Sequence, residues 1–158
     1  MILLKKMERS RACKPDIIAY NTLIDGLCKN EQITDALNLF YEMIVREIAS
    51  DVITYTCLIQ GVCDFEQWDK VKRLLEDMFA QKIPCDIHTY NILVYALYGL
   101  CKDGKLDAAN KLFSELSERG LKPDVRTYTI MITGLCKMGR LEEAEDLLSK
   151  MSDSGCSL

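Results

Sequence analysis

Four tyrosines, Tyr20, Tyr55, Tyr90 and Tyr128, stand 35, 35 and 38 residues apart, and a small hydrogen-bonding side chain follows each: Asn21, Thr56, Asn91 and Thr129. The carboxylates Asp16, Asp51, Asp86 and Asp124 keep the same spacing. An amide or hydroxyl at one phase, with a carboxylate at another, can donate to and accept from polar partners at a regular interval. That is the chemistry of recognition. Bond-making has little to work with: there is no glycine-rich phosphate loop, and the single histidine, His88, cannot complete a nucleophile–base set. Eight cysteines include no Cys-x-x-Cys pair, so zinc ligation has little support and no metal or cofactor is expected. Cys28, Cys63, Cys101 and Cys136 share one phase of the repeat, an interval too long for a disulfide. They read as small buried thiols in a reducing compartment.

Helices at the same period must position these groups. Tyr20, Leu23, Ile24, Leu27 and Cys28 fall at i, i+3, i+4, i+7 and i+8, one amphipathic helical face. Asp16 is placed to cap that helix, after Pro15. A break follows each first helix, and Gly104 and Gly139 suit a left-handed C-cap. The second helix of each copy carries Ile33, Ala36, Leu37, Phe40 and Met43, then Trp68, Val71, Leu75 and Met78, then Leu106, Ala109, Phe113 and Leu116, then Leu141, Ala144, Leu148 and Met151. These are packing positions, and Trp68 reads as a core anchor. The glycines Gly26, Gly61, Gly99 and Gly134 locate the one irregularity: tyrosine to glycine is six residues in three copies and nine from Tyr90 to Gly99. Three extra residues amount to nearly one turn, which either lengthens the helix or bulges it.

Self-similarity at this period marks a solenoid. The expected fold is all-α, a right-handed α-solenoid of stacked helix-turn-helix repeats. Residues 1–16 read as the second helix of a partial repeat, followed by repeats at 17–51, 52–86, 87–124 and 125–158. Neither end carries a polar capping helix, so the chain reads as a piece of a longer array or as one that covers its ends by self-association, a homodimer. No apolar run is long enough to span a membrane. The opening MILLKKM is too short for a signal peptide, and no Arg/Ser-rich leader is present. The formal net charge of −4 argues mildly against a nucleic-acid partner, since phosphate binders are usually basic.

The segment KPDVRTYTIMITGLCKMGRLEEAEDLLSKM, with its in-phase echoes at Tyr20, Tyr55 and Tyr90, resembles the pentatricopeptide repeat family. The Gly-Leu-Cys-Lys of three copies is similar to its P-class, plant fertility-restorer branch. The tetratricopeptide pattern is a poorer match, because its Trp-x-x-Leu-Gly-x-x-Tyr signature is missing. The resemblance covers essentially the whole chain and implies single-stranded RNA as the partner, read at about one base per repeat by two or three side chains. It implies reading pairs Asn21 with Asp51, Thr56 with Asp86, and Asn91 with Asp124, with Thr129 unpaired. Asn with Asp would favour uracil and Thr with Asp guanine. The implied core, with the amino end toward the 5′ end of the RNA, is U-G-U-purine. Ile18, Ile53, His88 and Arg126 would wedge against the bases, although His88 and Arg126 depart from the usual aliphatic type. Lys29, Lys102 and Lys137, at the ends of first helices, would contact phosphate; Asp64 stands at that phase in the second copy.

On that reading the carboxylates gathered on second helices, such as Glu142, Glu143 and Glu145, lie away from a lysine-lined groove. The plainer account of the lysines is that cations suit helix C-termini. The resemblance further implies organellar RNA processing, stability or translation, in a plant mitochondrion or chloroplast. It does not imply an enzyme. The rival function is a protein-interaction solenoid gripping a peptide or partner helix, against which the periodic Asn/Thr and Asp speak, since a peptide binder has no reason to hold them in phase.

Overall fold

The computed structural model describes Arg9 and residues 14–156. The partial repeat expected at 1–16 therefore lies almost wholly outside the described residues. Among those residues, the regular structure is eight α-helices: α1 Ile17–Lys29, α2 Ile33–Val45, α3 Val52–Asp64, α4 Trp68–Ala80, α5 Ile87–Lys102, α6 Leu106–Glu118, α7 Val125–Lys137 and α8 Leu141–Asp153. None is long and apolar enough to cross a membrane. Seven have 13 residues, while α5 is an unbroken helix of 16. The fold divides into two compact units, Met1–Thr89 and Tyr90–Leu158.

Local chemistry sets each start and stop. An aspartate side chain accepts from a backbone N–H three residues on at every odd-numbered helix: Asp16 from Ala19 (2.9 Å), Asp51 from Thr54 (2.9 Å), Asp86 from Thr89 (2.8 Å) and Asp124 from Thr127 (2.9 Å). Such a cap stabilises a helix by about 1 kcal/mol. Helices end on a left-handed residue that lets the chain fold back. In α1 the Glu31 N–H donates to the Cys28 carbonyl and the Gln32 N–H to that of Leu27; Gly104 and Lys105 repeat the pattern after α5. The left-handed residue is Gly104, Gly120, Gly139 or Gly155 in the second unit. In the first it is Glu31, Glu47, Glu66 or Lys82.

In the first unit α1 packs on α2 and α3, and α3 packs on α2 and α4. The core holds Tyr20, Ile24, Phe40, Met43, Tyr55, Leu58, Ile59 and, in α4, Trp68, Val71, Leu75 and Met78. The ring of Phe40 meets the edge of Tyr55 at 5.4 Å. In the second unit α7 packs on α6 and α8, and Phe113 meets Tyr128 at 5.5 Å. Two expectations fail there. Leu148 is exposed while its neighbour Leu147 is buried, and Leu141 is 59% exposed. Ile33 and Leu106 occupy Leu141's phase, and each lies beneath a glycine of the next odd-numbered helix, Gly61 or Gly134. Leu141 lies beneath no such glycine among the described residues. The phase-mates Cys28, Cys63, Cys101 and Cys136 divide in the same way. Cys63 and Cys101 are buried and Cys28 is half-buried against Gly61, but Cys136 is exposed rather than buried.

Candidate nucleic-acid interface

The site begins at the junction of α1 and α3. Asn21, one residue past the buried Tyr20, is 9% exposed. Its Nδ2 donates to Asp51 Oδ1 (3.1 Å), and its Oδ1 accepts from the Thr54 hydroxyl (2.7 Å). This polarity fixes the amide, because the reverse placement would set a carbonyl oxygen against a carboxylate oxygen. Asp51 Oδ1 also takes the Thr54 N–H, so this oxygen is occupied by capping and pairing. Burial works to raise the Asp51 carboxyl, but the hydrogen bonds from Thr54 and Asn21 outweigh it and hold the group below the usual carboxylate range. The two members of the first expected pair thus touch.

The second pair is joined through an intermediary. Thr56 Oγ1 lies 3.1 Å from Thr89 Oγ1, which donates to Asp86 Oδ1 (2.9 Å). The Thr89 N–H and hydroxyl hold the Asp86 carboxyl below its ordinary value. Thr54, Thr89 and Thr127 are fully buried, and each ties an aspartate to the neighbouring repeat, a role that reading the sequence did not assign. The signal was available: each immediately precedes a repeat tyrosine.

The third pair is not brought together in this way. Asn91 is exposed. The Tyr90 hydroxyl instead lies 2.7 Å from Thr127 Oγ1 and accepts the Asp124 backbone N–H at 3.2 Å. Burial tends to raise the Asp124 carboxyl; hydrogen bonds from Thr127 and Tyr90 bring it below the ordinary value. Thr129 is exposed, and its hydroxyl bonds back to the Val125 carbonyl (2.7 Å).

The three lysines, with His88 and Thr129, line two matching grooves. In the first unit Lys29, Thr56 and His88 line one groove together with Asp25, Gly61 and Asp64. In the second, Lys102, Thr129 and Lys137 line another with Tyr98 and Gly134. Apart from His88, each residue of the first groove has its counterpart in the second 73 positions on, the sum of one 35-residue and one 38-residue repeat. The charge differs. Lys29 Nζ is held by Asp25 at 2.6 Å, and that hydrogen bond and charge strengthen its grip on its proton. Asp64 adds a further carboxylate to the first groove, whereas the second groove carries two exposed lysines and no acid. Ile18, Ile53, His88 and Arg126 are all exposed on the first turns of their helices. Among the described residues no His, Cys, Asp and Glu groups cluster as a metal site.

Comparison with known proteins places the fold in a family. The chain matches the PPR repeat family over residues 15–64, 50–99 and 97–137, and a single PPR repeat over 126–156. A pentatricopeptide repeat-containing protein of Arabidopsis thaliana is 53% identical over 32 residues, which is 20% of this chain and 4% of that protein. The crystal structure of PPR10 from maize superposes with a TM-score of 0.78 at 21% identity, covering 94% of this chain and 21% of PPR10. PPR10 in complex with an 18-nt psaJ RNA element matches at a TM-score of 0.67 and 27% identity, over 92% of this chain and 21% of PPR10. The PPR domain of Arabidopsis protein-only RNase P 1, in complex with tRNA, matches at 0.78 and 17% identity, over 99% of this chain and 81% of the domain. The chain thus spans about a fifth of the PPR10 chain, and the fold is the stacked helix-turn-helix α-solenoid of these structures.

Proposed function

We propose that this chain, which belongs to the PPR repeat family, binds single-stranded RNA and selects bases through side chains at the junctions of its odd-numbered helices. The observation that carries the reading is the bonded pair Asn21–Asp51. Its two side chains hold each other at a fixed position between repeats, which is the preorganisation a base-reading site needs. PPR10, a neighbour at 27% identity, is seen with an RNA element bound.

At each junction the carboxylate has one oxygen committed to the helix cap, and the other can accept from a base edge. The Asn21 amide offers a second N–H and a second lone pair, which suits the paired donor and acceptor of uracil. Thr56 offers a hydroxyl with Asp86 behind it, suiting guanine. Ile18, Ile53, His88 and Arg126 provide exposed faces against which bases can lie. Lys29, Lys102 and Lys137 provide phosphate contacts, with Lys29 the weakest because Asp25 competes for it. By residue type alone the motif would call for uracil at the third position and a purine at the fourth. Occupying RNA in this way, without chemistry on it, fits a role in processing, protection or translation of organellar transcripts. The relative from Arabidopsis favours a plant mitochondrion or chloroplast. No observation supports self-association through the ends, and the proposal does not need it.

The test is fluorescence anisotropy with a labelled, unstructured RNA containing U-G-U-G, beside one containing A-C-A-C, at low and moderate salt. Preference for the first RNA, reduced in Asn21→Ala, is the expected result. Equal binding abolished by salt would reduce the site to a cationic groove. Failure to bind either RNA would favour a protein partner for the same groove.

A further inference from the structure

The contacts between odd-numbered helices recur with an offset of 73 residues, and this offset identifies what stands at each reading position in the second unit. A Cβ on Gly61 would lie 2.7 Å from Cys28 Sγ, and one on Gly134 would lie 2.9 Å from Cys101 Sγ. The ring pairs Phe40–Tyr55 and Phe113–Tyr128 follow the same offset. So do the two grooves. By that offset the place of Tyr20 belongs to Leu93 (0% exposed) and the place of Asn21 to Val94 (1% exposed). The Tyr-Asn motif, three residues earlier on an unbroken helix, is displaced by about 4.5 Å and about 60° around the axis. Asn91 is accordingly exposed, and the longer Tyr90 side chain spans the shift to reach Thr127 and the Asp124 backbone.

A valine can neither donate to nor accept from a base edge. The same offset changes the groove wall. Where the first groove has Asp25 and Asp64, the second has Tyr98 and Lys137. Tyr98 is 54% exposed, and Lys102 and Lys137 line the groove with it. A phenol ring flanked by two ammonium groups suits any nucleotide: every base has a π-face to stack, and phosphate seeks the cations.

We propose that the third repeat holds its nucleotide without reading the base, by stacking on Tyr98 beside Lys102 and Lys137, and that Asn91 does not select uracil. This rests on the RNA-binding reading above. The test uses the whole chain and four labelled RNAs, U-G-U-G, U-G-C-G, U-G-A-G and U-G-G-G, together with A-G-U-G to report the first position. The expected result is affinities within about twofold across the first four, unchanged by Asn91→Ala. Tyr98→Ala should weaken all four alike, by roughly fivefold to a hundredfold for one stacked base, and Tyr98→Phe should restore binding. Circular dichroism checks that the exposed Tyr98→Ala variant folds. A tenfold or greater preference for uracil at the third position, lost in Asn91→Ala, would overturn the proposal, as would full binding by Tyr98→Ala. If wild type also fails to prefer U-G-U-G over A-G-U-G, the base-reading account itself has failed. If that preference stands and is lost in Asn21→Ala, the outcome at the third position judges this proposal alone.

Discussion

Gly26 and Gly61 hold the same phase of the repeat, yet only at Gly26 should replacement with alanine raise stability. Among the described residues a Cβ at Gly26 meets nothing within 4 Å, so Gly26→Ala should gain the helix-propensity difference of about 1 kcal/mol. A Cβ at Gly61 would lie 2.7 Å from Cys28 Sγ, 2.9 Å from Cys28 Cβ and 3.1 Å from Ile33 Cδ1. The second of these contacts is with an atom fixed to the α1 backbone, so rotating the thiol cannot relieve it and the helices must separate. Overpacking of this kind costs about 1–3 kcal/mol, which matches or exceeds the propensity gain and leaves Gly61→Ala neutral to destabilising by about 2 kcal/mol. Gly134→Ala, with Cys101 Cβ at 2.9 Å, should behave likewise. Urea denaturation followed by circular dichroism at 222 nm measures all three variants. Equal stabilisation by Gly26→Ala and Gly61→Ala would refute the close approach of α1 and α3 on which the proposed reading junction depends.

Other perturbations address the turns, the caps and the tyrosine of the second repeat. Glu31, Glu47, Glu66 and Lys82 adopt left-handed backbone where the second unit uses glycine; each change to glycine should stabilise by about 1 kcal/mol, and thermal melts showing a decrease would contradict this. The carboxyls of Asp51, Asp86 and Asp124 sit below their ordinary value. The stability they contribute is therefore complete above the unfolded aspartate value of about 3.9 and lost as pH falls through the lower folded values. Acid titration of Asp51→Asn should show a shallower loss below pH ~4 than wild type, and an identical profile would remove that carboxylate from the account. The Tyr55 hydroxyl is tied to Asp77 and Gln81, so Tyr55→Phe should cost about 1 kcal/mol; an unchanged urea midpoint would show those bonds to be dispensable.

Much of this molecule is legible in its sequence because a solenoid repeats its physics. The spacing of Tyr20, Ile24 and Cys28 marks a helical face, and Asp16, Gly104 and Gly139 mark its ends, since caps are set by neighbours in the chain. The matches to solved PPR structures carry the same fold. What depends on the next repeat was harder to read. Leu141 and Cys136 share their phases with buried residues, but burial there is supplied by a following helix, not by the residue's own face. Asp51, Asp86 and Asp124 each cap the next odd-numbered helix while closing their own repeat. The partners that fix them, Thr54, Thr89 and Thr127, look like ordinary helix residues until the stacking is seen. In the third copy a motif and a register disagree. Tyr90-Asn91 matches by residue type, whereas Leu93-Val94 matches by position along the helix.

The central claim is that the residue following the repeat tyrosine, held by the carboxylate across the junction, chooses the base. Exchanging Asn21 for threonine tests it most directly, because the substitution keeps a hydrogen-bonding group beside Asp51 and changes only the pattern presented. Anisotropy titrations with U-G-U-G and G-G-U-G RNAs should show wild type favouring the first. Asn21→Thr should favour the second, a reversal of roughly tenfold or more for a discrimination of about 1–3 kcal/mol. If Asn21→Thr binds both RNAs with the wild-type order of affinities, the junction does not read the base and the account is wrong.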